Sequence, residues 1–126
     1  MDFFDRGKTV EISSRDWWIK IVGMLQQNWA LIESNINQEG CTIYFVNDIS
    51  GVFDRLHYPY VRSATSDLRR NRFSIYHTKT AEFQIDIPKP EPPFFETTHV
   101  NGQIYSSGRY WFSRTHNLHH SEDSHF

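Results

Sequence analysis

The chain has 126 residues, with 13 Lys plus Arg against 15 Asp plus Glu and a formal net charge of −2 with His neutral. That length suits one domain with one hydrophobic core, and the charge argues against a generally basic nucleic-acid binder. With 38 % apolar and 16 % aromatic residues, the chain is too aromatic to be disordered and too interrupted to span a membrane.

The opening stretch, MDFFDRGKTVEISS, carries acids and no apolar run, so it does not read as a signal peptide. A helix is expected over Ser14–Gln27, capped by Ser13 or Ser14. Trp18, Ile21, Val22 and Leu25 fall at i, i+3, i+4 and i+7, the spacing of one helical face. Trp17 and Trp18 are adjacent and cannot share that face. Trp18 is therefore expected in the core and Trp17 at its margin.

Strands follow. Trp29–Ser34 is a candidate, and Cys41–Val46 is a strong β run of branched and aromatic residues. Asn47-Asp48-Ile49-Ser50-Gly51 has turn chemistry, and Val52–Leu56 returns as another strand. Pro59 breaks the pattern. A second short helix is expected from Ser63 to Asn71, with Ser63 or Thr65 as cap and Ala64, Leu68 and Phe73 facing inward. Phe73–Tyr76 reads either way. Ala81–Ile87 alternates Phe83, Ile85 and Ile87 with polar residues, the two-residue period of a strand. Four prolines between 88 and 93 make an extended, polyproline-like connector to Phe94. Asn101-Gly102 is a hairpin signal, followed by Tyr105, Tyr110, Trp111 and Phe112. The pattern predicts an α+β fold: an N-terminal helix packed on an antiparallel sheet, a second short helix and a C-terminal aromatic hairpin. Residues 1–114 form the single domain, and 115–126 a flexible His-rich tail.

Candidate chemistry is sparse. His116, His119, His120 and His125 lie in the polar tail, which lacks the fixed backbone a metal site needs. No metal or other cofactor is therefore expected. Hydrolase, zinc-protease, P-loop and dinucleotide motifs are missing. Cys41 sits within the strongest β run and reads as a buried small hydrophobe. His77 with Lys79 and Arg72 could be assembled into a metal-independent RNase-like set, but many chains offer as much. No enzyme is expected. Residues 61–80 hold five bases and one acid, between acidic flanks. Within them Arg62, Arg69, Arg70 and Arg72 lie near Phe73 and Tyr76, which suggests a small RNA-binding module over Arg62–Tyr76 as an alternative. The acidic flanks weigh against a polyanion partner.

Three stretches carry a resemblance: Leu68-Arg69-Arg70-Asn71-Arg72-Phe73, Pro92-Pro93-Phe94, and Asn101-Gly102-Gln103-Ile104-Tyr105-Ser106-Ser107-Gly108-Arg109-Tyr110-Trp111. Together, over roughly residues 41–112, they resemble short bacterial immunity proteins of polymorphic and contact-dependent growth-inhibition toxin systems. The resemblance implies a cytoplasmic toxin inhibitor that acts by protein–protein interaction. It would bind a cognate protein toxin domain, such as a nuclease, and block its active site. No catalytic residue, cofactor or membrane partner comes with it. Exposed rings and charged residues are the expected contacts: Asp48, Asp54, Tyr58, Tyr60, Glu96, Tyr105, Arg109 and Tyr110.

Overall fold

The computed structural model describes residues 7–23, 26–35, 39–83 and 87–98. The strands are β1 (Thr9–Val10), β2 (Trp17–Gly23), β3 (Gln26–Ser34), β4 (Cys41–Val46), β5 (Gly51–Tyr58), β6 (Ser74–Ile75) and β7 (Phe94–Glu96). Two helices, α1 (Val61–Arg70) and α2 (Tyr76–Phe83), flank β6. The strands form one sheet in the order β1-β7-β5-β4-β3-β2-β6. Its pairs are antiparallel except β5 with β7, where Gly51 and Val52 run parallel to Phe95 and Glu96. The expected antiparallel sheet is thus a mixed one.

The expected N-terminal helix is not found among the described residues. Residues 17–23 form β2 and 26–27 open β3, two antiparallel strands with Trp17 opposite Leu31 and Trp18 opposite Ala30. The helical spacing arose because β2 is apolar on both sides. Trp17 and Ile19 enter one core, whereas Trp18 enters the other. A strand buried on both faces is a continuous apolar run, which matches a helical template by default. Branched and aromatic residues then favour the extended form. For the same reason Trp17 is not marginal: it is as buried as Trp18.

The two cores lie on opposite faces of the sheet. On one face Trp18, Ile32, Ile43, Phe45 and Phe53 pack beneath Ala64 and Leu68 of α1 and beneath Phe73. On the other, Trp17, Ile19, Trp29, Leu31, Val46 and Val52 are covered by Val10, Ile12, Tyr76, Ile87 and Phe94. Four rings run in sequence across this second face. Phe94 meets Trp17 at 6.1 Å, Trp17 meets Trp29 edge-on at 5.7 Å, and Trp29 meets Tyr76 at 5.8 Å. The edge-on pair is a favoured quadrupole arrangement.

The helix α1 matches the expected second helix with earlier bounds. Its N-cap is Tyr60, extended and without a side-chain cap bond, in place of Ser63 or Thr65. Its C-terminus is a Schellman turn. The N–H of Phe73 donates to Leu68 O at 2.9 Å and that of Arg72 to Arg69 O at 3.1 Å. The left-handed position, φ 75°, is occupied by Arg72 rather than glycine. An L-residue there costs about 1–2 kcal/mol.

The strand expected over Ala81–Ile87 is corrected: residues 76–83 are α2, and 84–86 lie outside the described residues. Tyr76 anchors that helix in the core, its hydroxyl donating to Ile87 O. Lys79 and Glu82 pair one turn apart at 3.3 Å. The connector before Phe94 is irregular and contains a cis Pro92-Pro93 peptide. The expected C-terminal hairpin and His-rich tail lie outside the described residues. No helix among the described residues is long and apolar enough to cross a membrane.

Gly40 closes the β3–β4 connection at φ 97°, where a Cβ would lie 2.3 Å from the Tyr58 carbonyl oxygen. Gly40→Ala should therefore cost about 1–3 kcal/mol through backbone strain. A lower urea midpoint at unchanged slope is the expected readout.

Candidate functional site

Successive antiparallel strands reverse direction, so the β2–β3 and β4–β5 connections lie at the same end of the sheet. Two strand spacings put them about 10 Å apart. The β4–β5 turn is held rigidly. The Asn47 side-chain oxygen accepts from the backbone N–H of Ile49 at 3.0 Å and of Gly51 at 2.8 Å. Ser50, at φ 70°, donates its hydroxyl to Glu91 O. The indole N–H of Trp29 donates to Asp48 Oδ1 at 2.8 Å. A core tryptophan thus fixes a carboxylate at the surface. Beside it Ile49 is 72 % exposed, and Ile21 and Val22 at the end of β2 are 37 % and 42 % exposed. Among the described residues Tyr60 and Val61 are the other exposed large apolar side chains.

The expected contact residues do not converge on one patch. Asp48 is exposed in the β4–β5 turn. Asp54 is half-buried on β5 opposite Phe45, and its carboxylate accepts from the Arg55 backbone N–H at 2.9 Å. Glu96 on β7 pairs with Arg55 at 3.2 Å, and that guanidinium also lies 5.4 Å from the Tyr44 ring centroid. With both side chains 47 % exposed, this ion pair contributes little to stability. Tyr58 is fully buried, and its hydroxyl donates to Asp67 Oδ2 at 2.7 Å. It is therefore a core residue, not a surface contact. Tyr60 is exposed at the opposite end of the sheet, under the Arg62 guanidinium at 5.8 Å. Tyr105, Arg109 and Tyr110 lie outside the described residues.

Ile21, Val22 and Ile49 were not among the expected contacts. The first two were hidden by the helical reading, which assigned them to a core face. Ile49 did leave a signal, because a branched aliphatic in the middle of a polar turn has no local structural reason to be there.

Of the residues that could suggest catalysis, His77 and Lys79 lie on α2, and Arg72 follows the end of α1. His77 and Lys79 stand two residues apart on α2, so they point in different directions. The Lys79 ammonium pairs with Glu82, and the exposed His77 ring packs edge-on against Tyr76 at 5.4 Å. Cys41 is buried, and burial pushes its thiol pKa up, away from a reactive thiolate. Among the described residues no three of His, Cys, Asp and Glu gather to hold a metal ion.

Comparison with family models, with curated proteins and with solved structures finds no match to this chain.

Proposed function

We propose that this chain is a toxin-neutralising immunity protein, a cytoplasmic binder that covers the active site of a cognate toxin domain. The observation that supports this reading is the end of the sheet at Asp48. There, Ile49 remains exposed beside a carboxylate held by Trp29, and Ile21 and Val22 remain exposed at the end of β2 two strands away. Exposed aliphatic groups beside a fixed charge suit protein recognition: the apolar area supplies affinity on burial, and the charge sets orientation and rate. A carboxylate already held by a buried indole loses little side-chain freedom on binding, which lowers the cost of association. Asp48 would steer a basic toxin, such as a nuclease, toward the aliphatic patch.

The test uses the toxin domain encoded beside this chain. The two should co-elute as an equimolar complex, and co-expression should restore growth. Ile49→Asp should weaken binding roughly 10- to 100-fold, the equivalent of losing one buried aliphatic side chain. Asp48→Lys should mainly slow association and flatten its salt dependence. Ile49 belongs to no core cluster, so Ile49→Asp should unfold at the wild-type urea concentration, whereas Asp48→Lys also takes the acceptor from the Trp29 indole N–H and should cost about 1–3 kcal/mol. RNA cleavage by the isolated chain, abolished by His77→Ala, would overturn the proposal in favour of an enzyme.

A further inference from the structure

The sequence places its arginines in one basic segment, but the fold separates them. Arg62 sits over Tyr60 at the start of α1, whereas Arg69, Arg70 and Arg72 lie where α1 ends. Tyr76 points into the opposite core. At the end of α1, Lys20 joins the arginines from β2, two residues along the strand from Trp18 and on the same face. The Arg69 guanidinium lies 5.1 Å from the Trp18 ring centroid, and the Lys20 ammonium 5.9 Å from that of Phe73. Both rings are buried, so each cation rests on an aromatic seat rather than waving in solvent. Burial, and then the charge of Arg72, lowers the Lys20 pKa.

Cations at a helix C-terminus ordinarily complement the helix dipole. That accounts for Arg69 and Arg70, which lie in the last turn. It does not account for Arg72, which occupies the left-handed position where glycine would be more stable. Strain retained at a charged residue points to use of that charge.

We propose that Lys20, Arg69 and Arg72 form a binding site for the phosphate backbone of a nucleic acid strand. Three cations gathered where α1 ends suit a strand whose successive phosphodiesters each carry a full charge and exposed acceptor oxygens. Because Trp18 and Phe73 are buried beneath the cations, no base can stack on them. Recognition therefore runs through phosphate alone, without base preference. The site goes beyond the toxin-binding reading and uses a different set of residues.

The test is fluorescence anisotropy of the full chain with labelled 20-nucleotide oligo-U, oligo-A and oligo-dT between 50 and 200 mM salt. All three strands should bind alike. The log–log salt slope should be about −2, at roughly −0.7 per phosphate contact over three contacts. Arg69→Gln and Arg72→Gly should each weaken binding several-fold and flatten the slope by about 0.7. Arg62→Gln should leave both unchanged. Arg72→Gly relieves the positive φ, so its thermal midpoint should hold or rise, and lost binding there cannot be lost folding. Three results would each overturn the proposal: no anisotropy change at 50 mM salt, binding that survives Arg69→Gln with Arg72→Gly, or displacement of oligo-U by poly-glutamate at equal charge concentration. The last would assign the corner to an acidic protein segment.

Discussion

Trp17→Ala and Trp18→Ala should each cost about 3–5 kcal/mol, and by similar amounts. Adjacent residues on a strand point to opposite faces, and here both faces are covered: Trp17 is 4 % exposed and Trp18 2 %. Trp17→Ala breaks the row of rings at its centre, taking away the partner of both Trp29 and Phe94. Trp18→Ala opens a cavity beneath α1 and removes the seat of Arg69. Either loss approaches the whole stability of a small domain. Phe at either position is a far milder change. Neither indole N–H has a hydrogen-bond partner among the described residues, and burying an unpartnered donor is itself destabilising. Trp→Phe discards that group while keeping an aromatic ring, so the two effects offset. Urea unfolding of all four single variants decides the matter. A Trp17→Ala cost well below that of Trp18→Ala would mean that the second core is not closed over Trp17.

The same pair of tryptophans explains what was legible in the sequence. Residues 41–46 read correctly as a strand because Cys41, Ile43 and Phe45 alternate with the half-buried Thr42 and Tyr44, and a turn follows directly. The helix α1 was legible because Ala64 and Leu68 fall one helical turn apart with polar residues between them, followed by the exposed Arg69 and Arg70. Residues 17–22 have no such contrast. A sheet covered on both sides removes the polar alternation that marks a strand, and only side-chain shape remains to distinguish it from a helix. Residues 76–83 failed in the opposite way. Among the described side chains of that helix Tyr76 alone enters a core, so no helical face emerges from the pattern. The parallel pairing of Gly51 and Val52 with Phe95 and Glu96 joins residues more than 40 positions apart, and no local signal specifies it.

The site was legible in the same uneven way. Asp48 could be found from turn chemistry, but its bond to Trp29 required the β3–β4 register to bring the tryptophan beneath the turn. The basic segment was visible as composition. That Lys20 joins it depends on β2 being a strand, since only then do Trp18 and Lys20 share a face toward α1. Expected contacts chosen by residue type alone included Tyr58, because a tyrosine beside a proline looks exposed. Burial of its ring is set by Asp67, nine residues away on a helix the strand leads into.

That buried pair is the second place where a large effect is expected. Tyr58→Ala should cost about 3–5 kcal/mol, since the ring is fully buried between β5 and α1. Tyr58→Phe isolates the hydroxyl. It leaves the ring in place and deprives Asp67, also fully buried, of a donor at 2.7 Å, at a cost of about 1–3 kcal/mol. Asp67→Ala removes the same bond from the other side. If the two groups act mainly on each other, the double variant Tyr58→Phe with Asp67→Ala should be less destabilised than the sum of the singles by about 0.5–3 kcal/mol. The pair also fixes how α1 meets the sheet. Asp67 O accepts from the Asn71 backbone at 3.1 Å and from its side-chain amide at 2.8 Å, at the C-terminus of α1 where Arg69 and Arg72 project. Loosening Asp67 should therefore weaken phosphate binding through position, without removing any cation. Tyr58→Phe should lower oligo-U affinity at low salt but keep the wild-type salt slope, whereas Arg72→Gly should change the slope itself. Equal slopes in Arg72→Gly and wild type would mean that the arginine makes no phosphate contact, and that its left-handed conformation serves something other than charge.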